Sequence, residues 1–296
     1  MPTVALTAGT IHYQQSGPAD GRPIVFVHGY AMGSSLWRLL TERLAARGFS
    51  CLAPTWPLGA HTDPMSPDAE LTMEAIAAMV GEFLDALSLN DVVLVGNDTG
   101  GAVSQIVATS TPERLGALVL TSCDAFEHFP PPILKPFIAA AKFGPAFKAA
   151  AQPLRTKLGR QRAFGPLAHA DIDELVVEWL KPGLTDPKIR EDLRRFTASL
   201  KQKSTLRAAE RLPQFTQPAL IAWSADDAFF PLQDGERLAA TLPNARLEVI
   251  TGARTFSMID QPDRLAELIA DFASGGGNGR VESPAATGAG AGASGP

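Results

Sequence analysis

Short apolar runs recur along the chain, separated by longer stretches in which apolar positions follow helical spacing. A short apolar run bounded by turn residues is typical of a buried strand, and helical spacing of apolar positions is typical of an amphipathic helix. Helices are predicted over residues 34–48 and 71–89. Strands are predicted at residues 24–27, 51–53, 92–95, 117–121, 219–223 and 246–250. This alternation predicts an α/β fold with a mostly parallel sheet and helices on both faces.

The pattern changes over residues 126–216, where no clear strand is predicted and proline and glycine divide the chain into short pieces. One amphipathic helix is predicted within this segment at residues 172–180, and it is expected to end before Pro182. We therefore predict a helical cap over residues 126–216, inserted into a core formed by residues 1–125 and 217–274.

Residues 275–296 differ in composition from the rest of the chain. Gly, Ala, Ser and Pro dominate there, and apolar residues able to anchor the segment to a core are almost absent. Such a composition favours a disordered tail.

Composition limits the binding partners and the cellular compartment that we expect for this protein. The 296-residue chain has a formal net charge of −5 and a pI near 5.6, which argues against nucleic acid and an anionic membrane surface as partners. Cys51 and Cys123 lie beside predicted strands, which favours buried, reduced thiols and a cytoplasmic protein. The charge balance favours a small neutral substrate. We find no membrane-spanning segment and no metal or cofactor motif, so we expect no membrane partner and no cofactor. The oligomeric state stays open.

The turn most indicative of function is GNDTGG at residues 96–101, between the predicted strand at 92–95 and a helical stretch. A strand that reverses into a helix in this way is typical of a nucleophile elbow, which exposes its central side chain on a strained backbone. The central residue is Asp98, and an aspartate there favours attack on saturated carbon with an alkyl ester as the intermediate. Packing or anion binding is the alternative role, although the dinucleotide fingerprint is not matched.

With this turn, a His28-Gly29-Tyr30 turn after an earlier strand and a helical insertion before the last two strands, the chain resembles the α/β-hydrolase family. Asp98 resembles the nucleophile of the aspartate branch, which includes haloalkane dehalogenases, fluoroacetate dehalogenases and soluble epoxide hydrolases. The resemblance implies that the backbone amides of Tyr30 and Thr99 form an oxyanion hole.

The resemblance also implies an acid and a base. The segment at residues 223–231 resembles the family's acid turn and places the acid at Asp227, and Asp124 is a second candidate because some members carry the acid after the preceding strand. A solvated loop carboxylate or a helix cap is the alternative for each. The family's base is a histidine after the last strand, but that position holds Thr255, a poor general base near neutral pH.

Two loop histidines are candidates for the missing base. His128 lies at the entry to the predicted cap, and His61 lies in the loop after the strand at residues 51–53. A base must be within hydrogen-bond reach of the attacking water, and an ordinary loop histidine is the alternative for each. His28 is predicted to be a structural turn residue, and His12 and His169 have no evident tie to the site.

Certain residues distinguish the subclasses of the aspartate branch, and this chain does not match any one subclass at all of them. Family epoxide hydrolases use cap tyrosines, whereas Tyr13 and Tyr30 both lie outside the predicted cap. Haloalkane dehalogenases usually have tryptophan after the nucleophile and fluoroacetate dehalogenases have arginine, but this chain has Thr99. Trp179 is a candidate halide donor in the cap, with packing as its alternative role.

Three functions stay open on the sequence alone. The leading hypothesis is a small-molecule hydrolase in which Asp98 attacks and Asp227 or Asp124 orients a base, with His128 among the candidates for that base. The second is a ligand-binding protein that has the pocket without the base, which Thr255 favours. The third is nonhydrolytic chemistry in the same pocket, such as elimination or rearrangement, for which no water-activating base is needed.

Overall fold

An eight-stranded sheet forms the centre of the protein in the computed structural model, which describes residues 1–275. The strands are β1 (Thr3–Leu6), β2 (Gly9–Ser16), β3 (Pro23–Val27), β4 (Ser50–Pro54), β5 (Val92–Asp98), β6 (Leu115–Cys123), β7 (Ala219–Ser224) and β8 (Ala245–Ile250). Their order across the sheet is β1-β2-β4-β3-β5-β6-β7-β8. β2 pairs antiparallel with β1 and β4, and all other pairs are parallel. The predicted α/β fold with a mostly parallel sheet is confirmed.

Helices cover both faces of the sheet and fill the segment between β6 and β7. They are α1 (Arg38–Ala45), α2 (Met73–Ala86), α3 (Thr99–Ser110), α4 (Lys135–Ala140), α5 (Gly144–Ala150), α6 (Lys157–Phe164), α7 (Asp173–Thr185), α8 (Pro187–Ser199), α9 (Gln202–Arg211), α10 (Leu232–Thr241), α11 (Ser257–Asp260) and α12 (Pro262–Ala273).

β3 illustrates why the central strands are continuous apolar runs. Successive residues of a strand point to opposite faces of the sheet. Ile24 belongs to an apolar cluster with Leu40 of α1, whereas Val25 belongs to a second cluster with Phe83 of α2. All four side chains are buried. A strand covered on both faces therefore needs an apolar residue at every position, which is the pattern that predicts it.

The helical insertion, residues 126–216, packs on the core through both apolar clusters. Trp179 of α7 belongs to the cluster of Leu40 and meets the Phe256 ring edge-on, with the ring centroids 6.0 Å apart. Ala208 of α9 belongs to the cluster of Phe83 on the other face. The division of the chain into core and cap domains at the predicted boundaries stays a prediction.

The sequence pattern does not predict the antiparallel hairpin of β1 and β2. Along β2 only Ile11 and Tyr13 are fully buried, because this strand alternates between an inward and a more exposed face. Two buried residues within a strand rich in Thr, Gln and Gly give a weak periodic signal, so an edge hairpin is harder to detect than a central strand.

The predicted end of the helix before Pro182 is wrong. α7 continues through Pro182 to Thr185. A proline inside a helix removes one backbone donor, but its carbonyl still accepts, and here the Asp186 N–H donates to the Pro182 oxygen over 2.8 Å. Leu180 and Gly183 are buried on either side of Pro182, so packing against the rest of the protein stabilises the last turn of α7.

Other sequence expectations concern cysteines, membranes and the C-terminal tail. Cys51 and Cys123 are buried and free, as expected. None of the helices in the described part of the chain has the length and apolar character needed to span a bilayer. The predicted disordered tail, residues 275–296, lies outside the described residues apart from Gly275.

Candidate active site

β5 ends at Asp98 and α3 begins at the next residue, so the chain reverses from strand to helix without a connecting loop. Asp98 has φ 53° and ψ −135°, a backbone conformation that is strained for a residue with a side chain. A side chain at Gly100 would place its Cβ 2.1 Å from the Val27 oxygen, so glycine is required for α3 to approach β3 this closely. The strained turn presents the Asp98 carboxylate at the carboxyl edge of the sheet.

Two backbone amides meet at one oxygen of the Asp98 carboxylate. Asp98 Oδ1 accepts from the Thr99 N–H over 2.6 Å and from the Tyr30 N–H over 3.1 Å. The Tyr30 amide can reach it because Gly29 has no side chain: a Cβ there would lie 2.1 Å from Oδ1. Asp98 Oδ2 takes part in neither hydrogen bond. One oxygen of the carboxylate is therefore fixed by the two backbone amides.

Burial controls the charge of Asp98. Loss of water around the side chain raises the pKa of Asp98 from 3.8 to about 6, against the lowering effect of the Thr99 and Tyr30 amides. The group is therefore mostly ionised at neutral pH, as a nucleophilic carboxylate must be.

Asp124 follows β6 and lies beside Asp98. Its Oδ2 accepts from the Thr99 hydroxyl over 2.9 Å, and its backbone N–H donates to the Asp98 carbonyl oxygen over 3.3 Å. The side chain is buried, which raises the pKa of Asp124 well above its ordinary value, and the neighbouring charge of Asp98 raises it further. Thr99 thus bonds to both carboxyl groups, through its amide to Asp98 and through its hydroxyl to Asp124.

Asp227 lies after β7 and is tied into its own loop. Its Oδ1 accepts from the amides of Phe229 and Phe230 over 2.8 and 3.0 Å, and from the Thr255 hydroxyl over 3.0 Å. Burial raises the pKa of Asp227, although these donors oppose the shift. The position where the resemblance implies a histidine is therefore occupied by a buried threonine that bonds to the expected acid.

Asn97 is a positioning residue that the sequence analysis did not single out. Its side-chain amide donates to the Thr121 hydroxyl, the Ser122 carbonyl and the Thr255 carbonyl, over 3.0, 3.1 and 2.9 Å. It therefore joins the elbow to β6 and to the loop after β8. Its place inside the GNDTGG turn was the available signal.

The two candidate histidines have other partners. His128 Nδ1 lies 2.7 Å from Asp234 Oδ2, and the His128 side chain is 55% exposed. His61 is buried and its Nε2 lies 3.3 Å from Oδ2 of Asp192 on α8. Neither histidine is among the residues that line the cavity at Asp98, so the geometry gives no support to His128 as the base.

His28 is a structural residue, as its turn predicts. Its Nε2 accepts from the Trp56 N–H over 2.9 Å, and burial lowers the pKa of His28 to about 4. The ring is therefore neutral at physiological pH and holds the loop that carries Tyr30.

A cavity of about 130 Å³ lies between the carboxyl edge of the sheet and the helical insertion. Its polar lining is Tyr30, Asp98, Thr99, Asp124 and Arg190, and its apolar lining includes Met32, Leu134, Phe137, Phe164, Leu180 and Phe229. The site therefore presents two carboxyl groups at one end of an otherwise mostly apolar chamber.

Trp179 is turned away from this chamber. Its indole N–H donates to the Ser35 hydroxyl over 2.8 Å, and the residue lines a different cleft. The packing role is therefore the one its surroundings support, and its indole donor is already in use.

The strand order, the elbow and the cavity at the edge of the sheet correspond to a known architecture. The family model described as alpha/beta hydrolase fold matches residues 22–262. The chain belongs to the α/β hydrolase fold family. A match of this extent includes β3, the elbow, the helical insertion and the loop after β8.

Two similar relatives are named as hydrolases of 2-hydroxy-6-oxo compounds. A 2-hydroxy-6-oxo-6-phenylhexa-2,4-dienoate hydrolase of Burkholderia cepacia is 27% identical, and the match covers 90% of this chain and 92% of the relative. A 2-hydroxy-6-oxononadienedioate/2-hydroxy-6-oxononatrienedioate hydrolase of Dechloromonas aromatica is 26% identical, with coverage of 88% and 90%. This chain is thus an α/β hydrolase family protein whose similar relatives act on small molecules.

Solved structures share the fold at lower identity. An ancestral haloalkane dehalogenase has a TM-score of 0.76 at 20% identity, covering 93% of this chain and 99% of its own. The enol-lactonase of Burkholderia xenovorans LB400 has a TM-score of 0.70 at 19% identity, covering 92% of this chain and 100% of its own. At this identity the similarity shows the fold alone.

Proposed function

We propose that the protein is a hydrolase of small, mostly apolar molecules in which Asp98 is the nucleophile. The observation that carries this proposal is the fixed orientation of the Asp98 carboxylate. Oδ1 is held by the amides of Thr99 and Tyr30, and the carboxyl group faces an apolar cavity. A carboxylate that is ionised and partly free of hydrogen bonds is suited to attack on saturated carbon.

The same two amides also suit the second half of such a reaction. Attack by Asp98 Oδ2 produces an alkyl ester whose carbonyl oxygen is Oδ1. When water then attacks the carbonyl carbon of this ester, which is Cγ of Asp98, negative charge develops on Oδ1. The amides of Tyr30 and Thr99 already donate to that oxygen. Donors fixed in advance at the site of developing charge accelerate such a step.

The cavity limits the size and charge of the substrate. An apolar cavity of about 150 Å³ holds one benzene molecule, so the volume here fits a substrate core of similar size. The Arg190 guanidinium in the lining donates to the Gly183 carbonyl over 3.2 Å, and the ionised Asp98 disfavours an anion at the reacting end of the cavity. We therefore propose uncharged substrates, in contrast to the dioates in the name of the Dechloromonas relative.

A second candidate function is ligand binding without turnover. Thr255 favours it, because this residue stands where the family's base is expected and bonds to Asp227. Nonhydrolytic chemistry in the same cavity is a third candidate, supported by the same substitution, and products that contain no added water would identify it.

Intact-protein mass spectrometry with product analysis tests the proposal. The protein and its Asp98→Asn variant are incubated with small epoxides, haloalkanes, alkyl sulfonates and activated esters. We expect an alkyl adduct or a hydrolysed product with the parent protein and neither with Asp98→Asn. Asp226→Asn is the matched control, because that carboxylate is 46% exposed, pairs with His169 and does not line the cavity. Equal reactivity of Asp98→Asn and the parent would contradict the proposal.

A further inference from the structure

Asp98 and Asp124 form a carboxyl pair held together by one residue. The Thr99 N–H donates to Asp98 over 2.6 Å, and the Thr99 hydroxyl donates to Asp124 over 2.9 Å. Both carboxyl groups line the same cavity. Within residues 1–275 neither has a Lys, Arg or His partner at ion-pair distance. Two adjacent buried carboxyl groups without a cation are expected to hold one proton between them.

We infer that Asp124 is the proton donor and then the general base for the reaction at Asp98, taking the role that the absent histidine has in the family. This inference rests on the proposed function, because it needs an ester on Asp98. The geometry supports it in two ways: Asp124 shares the cavity with Asp98, and it is joined to the elbow through Thr99.

The surroundings of the carboxyl pair favour a proton on Asp124. The charged or titratable groups near it are Asp227 after β7, Asp234 of α10 with its partner His128, Cys123 at the end of β6 and Arg190 of α8. Asp98 has two amide donors on one oxygen, whereas the Asp124 carboxyl accepts from one hydroxyl. Hydrogen bonds to the charged form stabilise it, so Asp98 ionises first and Asp124 keeps the proton.

The first step uses this proton. Asp98 Oδ2 attacks a saturated carbon of an epoxide, forming a C–O bond as the ring C–O bond breaks. The electron pair moves to the ring oxygen, which takes the proton from Asp124. The step leaves a hydroxyalkyl ester on Asp98 and a carboxylate on Asp124, with atoms and charge balanced.

The second step returns the proton. The Asp124 carboxylate removes a proton from water as the water oxygen attacks the ester carbon, and charge develops on Oδ1 at the two amides. Collapse breaks the acyl C–O bond, and the departing alkoxide takes the proton from Asp124. The carboxyl pair again holds one proton, now on Asp98, and its transfer to Asp124 restores the starting state. The sum of the steps adds one water to the epoxide and yields a diol.

The inferred substrate class follows from what the cavity offers a leaving group. A departing halide needs N–H donors, but the amides of Tyr30 and Thr99 are directed at Asp98, and the Trp179 indole donates to Ser35. A departing oxygen needs a proton, which a carboxylic acid in the cavity supplies. The geometry therefore favours an uncharged compound with an oxygen leaving group that must be protonated.

Two alkylating reagents separate the acid step from the base step. 1,2-Epoxybutane needs a proton on its leaving oxygen, whereas propyl methanesulfonate releases a stable anion without one. We expect Asp124→Asn to react with the epoxide about 10²-fold or more slowly than the parent. In the parent, alkylation by the sulfonate removes the Asp98 charge that raises the pKa of Asp124, so Asp124 can release its proton to solvent and then act as the base. In Asp124→Asn no such base activates water, so we expect this variant to accumulate a propyl ester on Asp98, observed by intact mass and peptide mapping.

The outcomes distinguish this inference from the proposed function. If Asp124→Asn turns over the epoxide at the parent rate and no ester accumulates, the inference is overturned while Asp98 keeps its proposed role. A different outcome is that the parent neither forms an adduct with either reagent nor turns either reagent over, and that Asp124→Asn also stays unmodified. This outcome would refute Asp98 as the nucleophile, and the inference about Asp124 with it.

A second pair of variants tests the inference without removing a carboxyl group. Thr99→Val deletes the hydroxyl bonded to Asp124, whereas Thr99→Ser keeps a hydroxyl. We expect Thr99→Val to shift the pH profile of epoxide turnover and Thr99→Ser to restore the parent profile, because the hydroxyl opposes protonation of Asp124. Identical pH profiles for Thr99→Val and the parent would overturn the inference that protonation of Asp124 controls epoxide turnover.

Discussion

Two pairs of residues in this protein have the same chemical composition but different access to the cavity. In each, a threonine hydroxyl donates to a buried aspartate: Thr99 to Asp124 over 2.9 Å, and Thr255 to Asp227 over 3.0 Å. Thr99 and Asp124 line the cavity, whereas Thr255 and Asp227 are not among its lining residues. The comparison shows that a hydrogen-bonded carboxylate in such a fold is not by itself a candidate for chemistry, since its access to the cavity must also be known.

The number of donors reinforces this difference. Asp227 Oδ1 receives the Phe229 and Phe230 amides in addition to the threonine hydroxyl. These bonds hold the loop after β7 and join it to the loop after β8. Among residues 1–275, the Asp124 carboxyl has one such donor, and it lies beside a second carboxyl group. We therefore expect Asp227 to act mainly on loop structure and Asp124 mainly on proton transfer.

The largest expected effect comes from comparing the two aspartates directly. Asp124→Asn should lower kcat for epoxide turnover by about 10²–10⁴-fold, the range of general acid–base catalysis. Asp227→Asn keeps an acceptor oxygen for its three donors and should lower kcat by less than about 10-fold, with the main loss in thermal stability. Steady-state kinetics and thermal unfolding of both variants measure this. A greater kinetic loss in Asp227→Asn would reverse the assignment.

The next largest effect is expected from Gly29→Ala. The added Cβ would lie 2.1 Å from Asp98 Oδ1, so it would move the carboxylate off the amides. Misplacement of a reacting group by about 1 Å can cost about 10²-fold in rate, and we expect a loss of this size in alkylation rate. Gly165→Ala is the matched control, because a Cβ there meets nothing within 4 Å. Similar rates for the two variants would show that the Gly29 contact does not position Asp98.

Asp98→Asn should increase the stability of the folded protein. Burial raises the pKa of Asp98 to about 6, so the folded state retains this proton at a pH where the unfolded chain has released it. Stability from this group is therefore full below about pH 4 and is lost as the pH rises to about 6. The variant should gain on the order of 2–3 kcal/mol in unfolding free energy at neutral pH.

Denaturant unfolding at several pH values between about 4 and 8 measures this effect. The parent should lose stability across the acidic half of the range, and the Asp98→Asn variant should lose less. The same pH dependence in both proteins would show that Asp98 does not carry the buried charge.

The smallest expected effect comes from converting the Thr255–Asp227 pair to the arrangement that the family resemblance implies. Thr255→His would place an imidazole beside Asp227, where it provides a second base. In an Asp124→Asn background, we expect this change to speed hydrolysis of the trapped propyl ester by about 10-fold, within the lower range of general base catalysis. Time-resolved intact mass measures the ester lifetime, and circular dichroism checks that the variant is folded. An unchanged lifetime in a folded variant would show that the imidazole cannot reach the ester.

The local pattern of apolar residues and glycines was sufficient to predict much of the fold and the position of the elbow. Central strands such as β3 are apolar at every position because they are buried on both faces, so composition alone indicates them. The hairpin of β1 and β2 is buried on one face only, and its signal was too weak to detect. The turn at Asp98 was predictable because its glycines are required by contacts with neighbouring backbone, which few other residues satisfy.

The partners of the site residues were not predictable in the same way. The resemblance to the α/β-hydrolase family implied that the amides of Tyr30 and Thr99 would lie near Asp98. It could not indicate that the Thr99 hydroxyl selects Asp124 or that Thr255 bonds to Asp227, because rotamers and loop paths decide such contacts. The isolation of His128 from the cavity, through its pairing with Asp234, is likewise a property of the folded chain.

The amide pair at Asp98 has a consequence for inhibitor design. In a serine hydrolase, such amides receive an oxygen that belongs to the ligand. Here both amides donate to an oxygen of Asp98, so a boronate or a fluorophosphonate should not find these two donors free. Reagents that profile serine hydrolases by activity should therefore fail to label this protein, and an electrophilic alkyl probe should be used in their place.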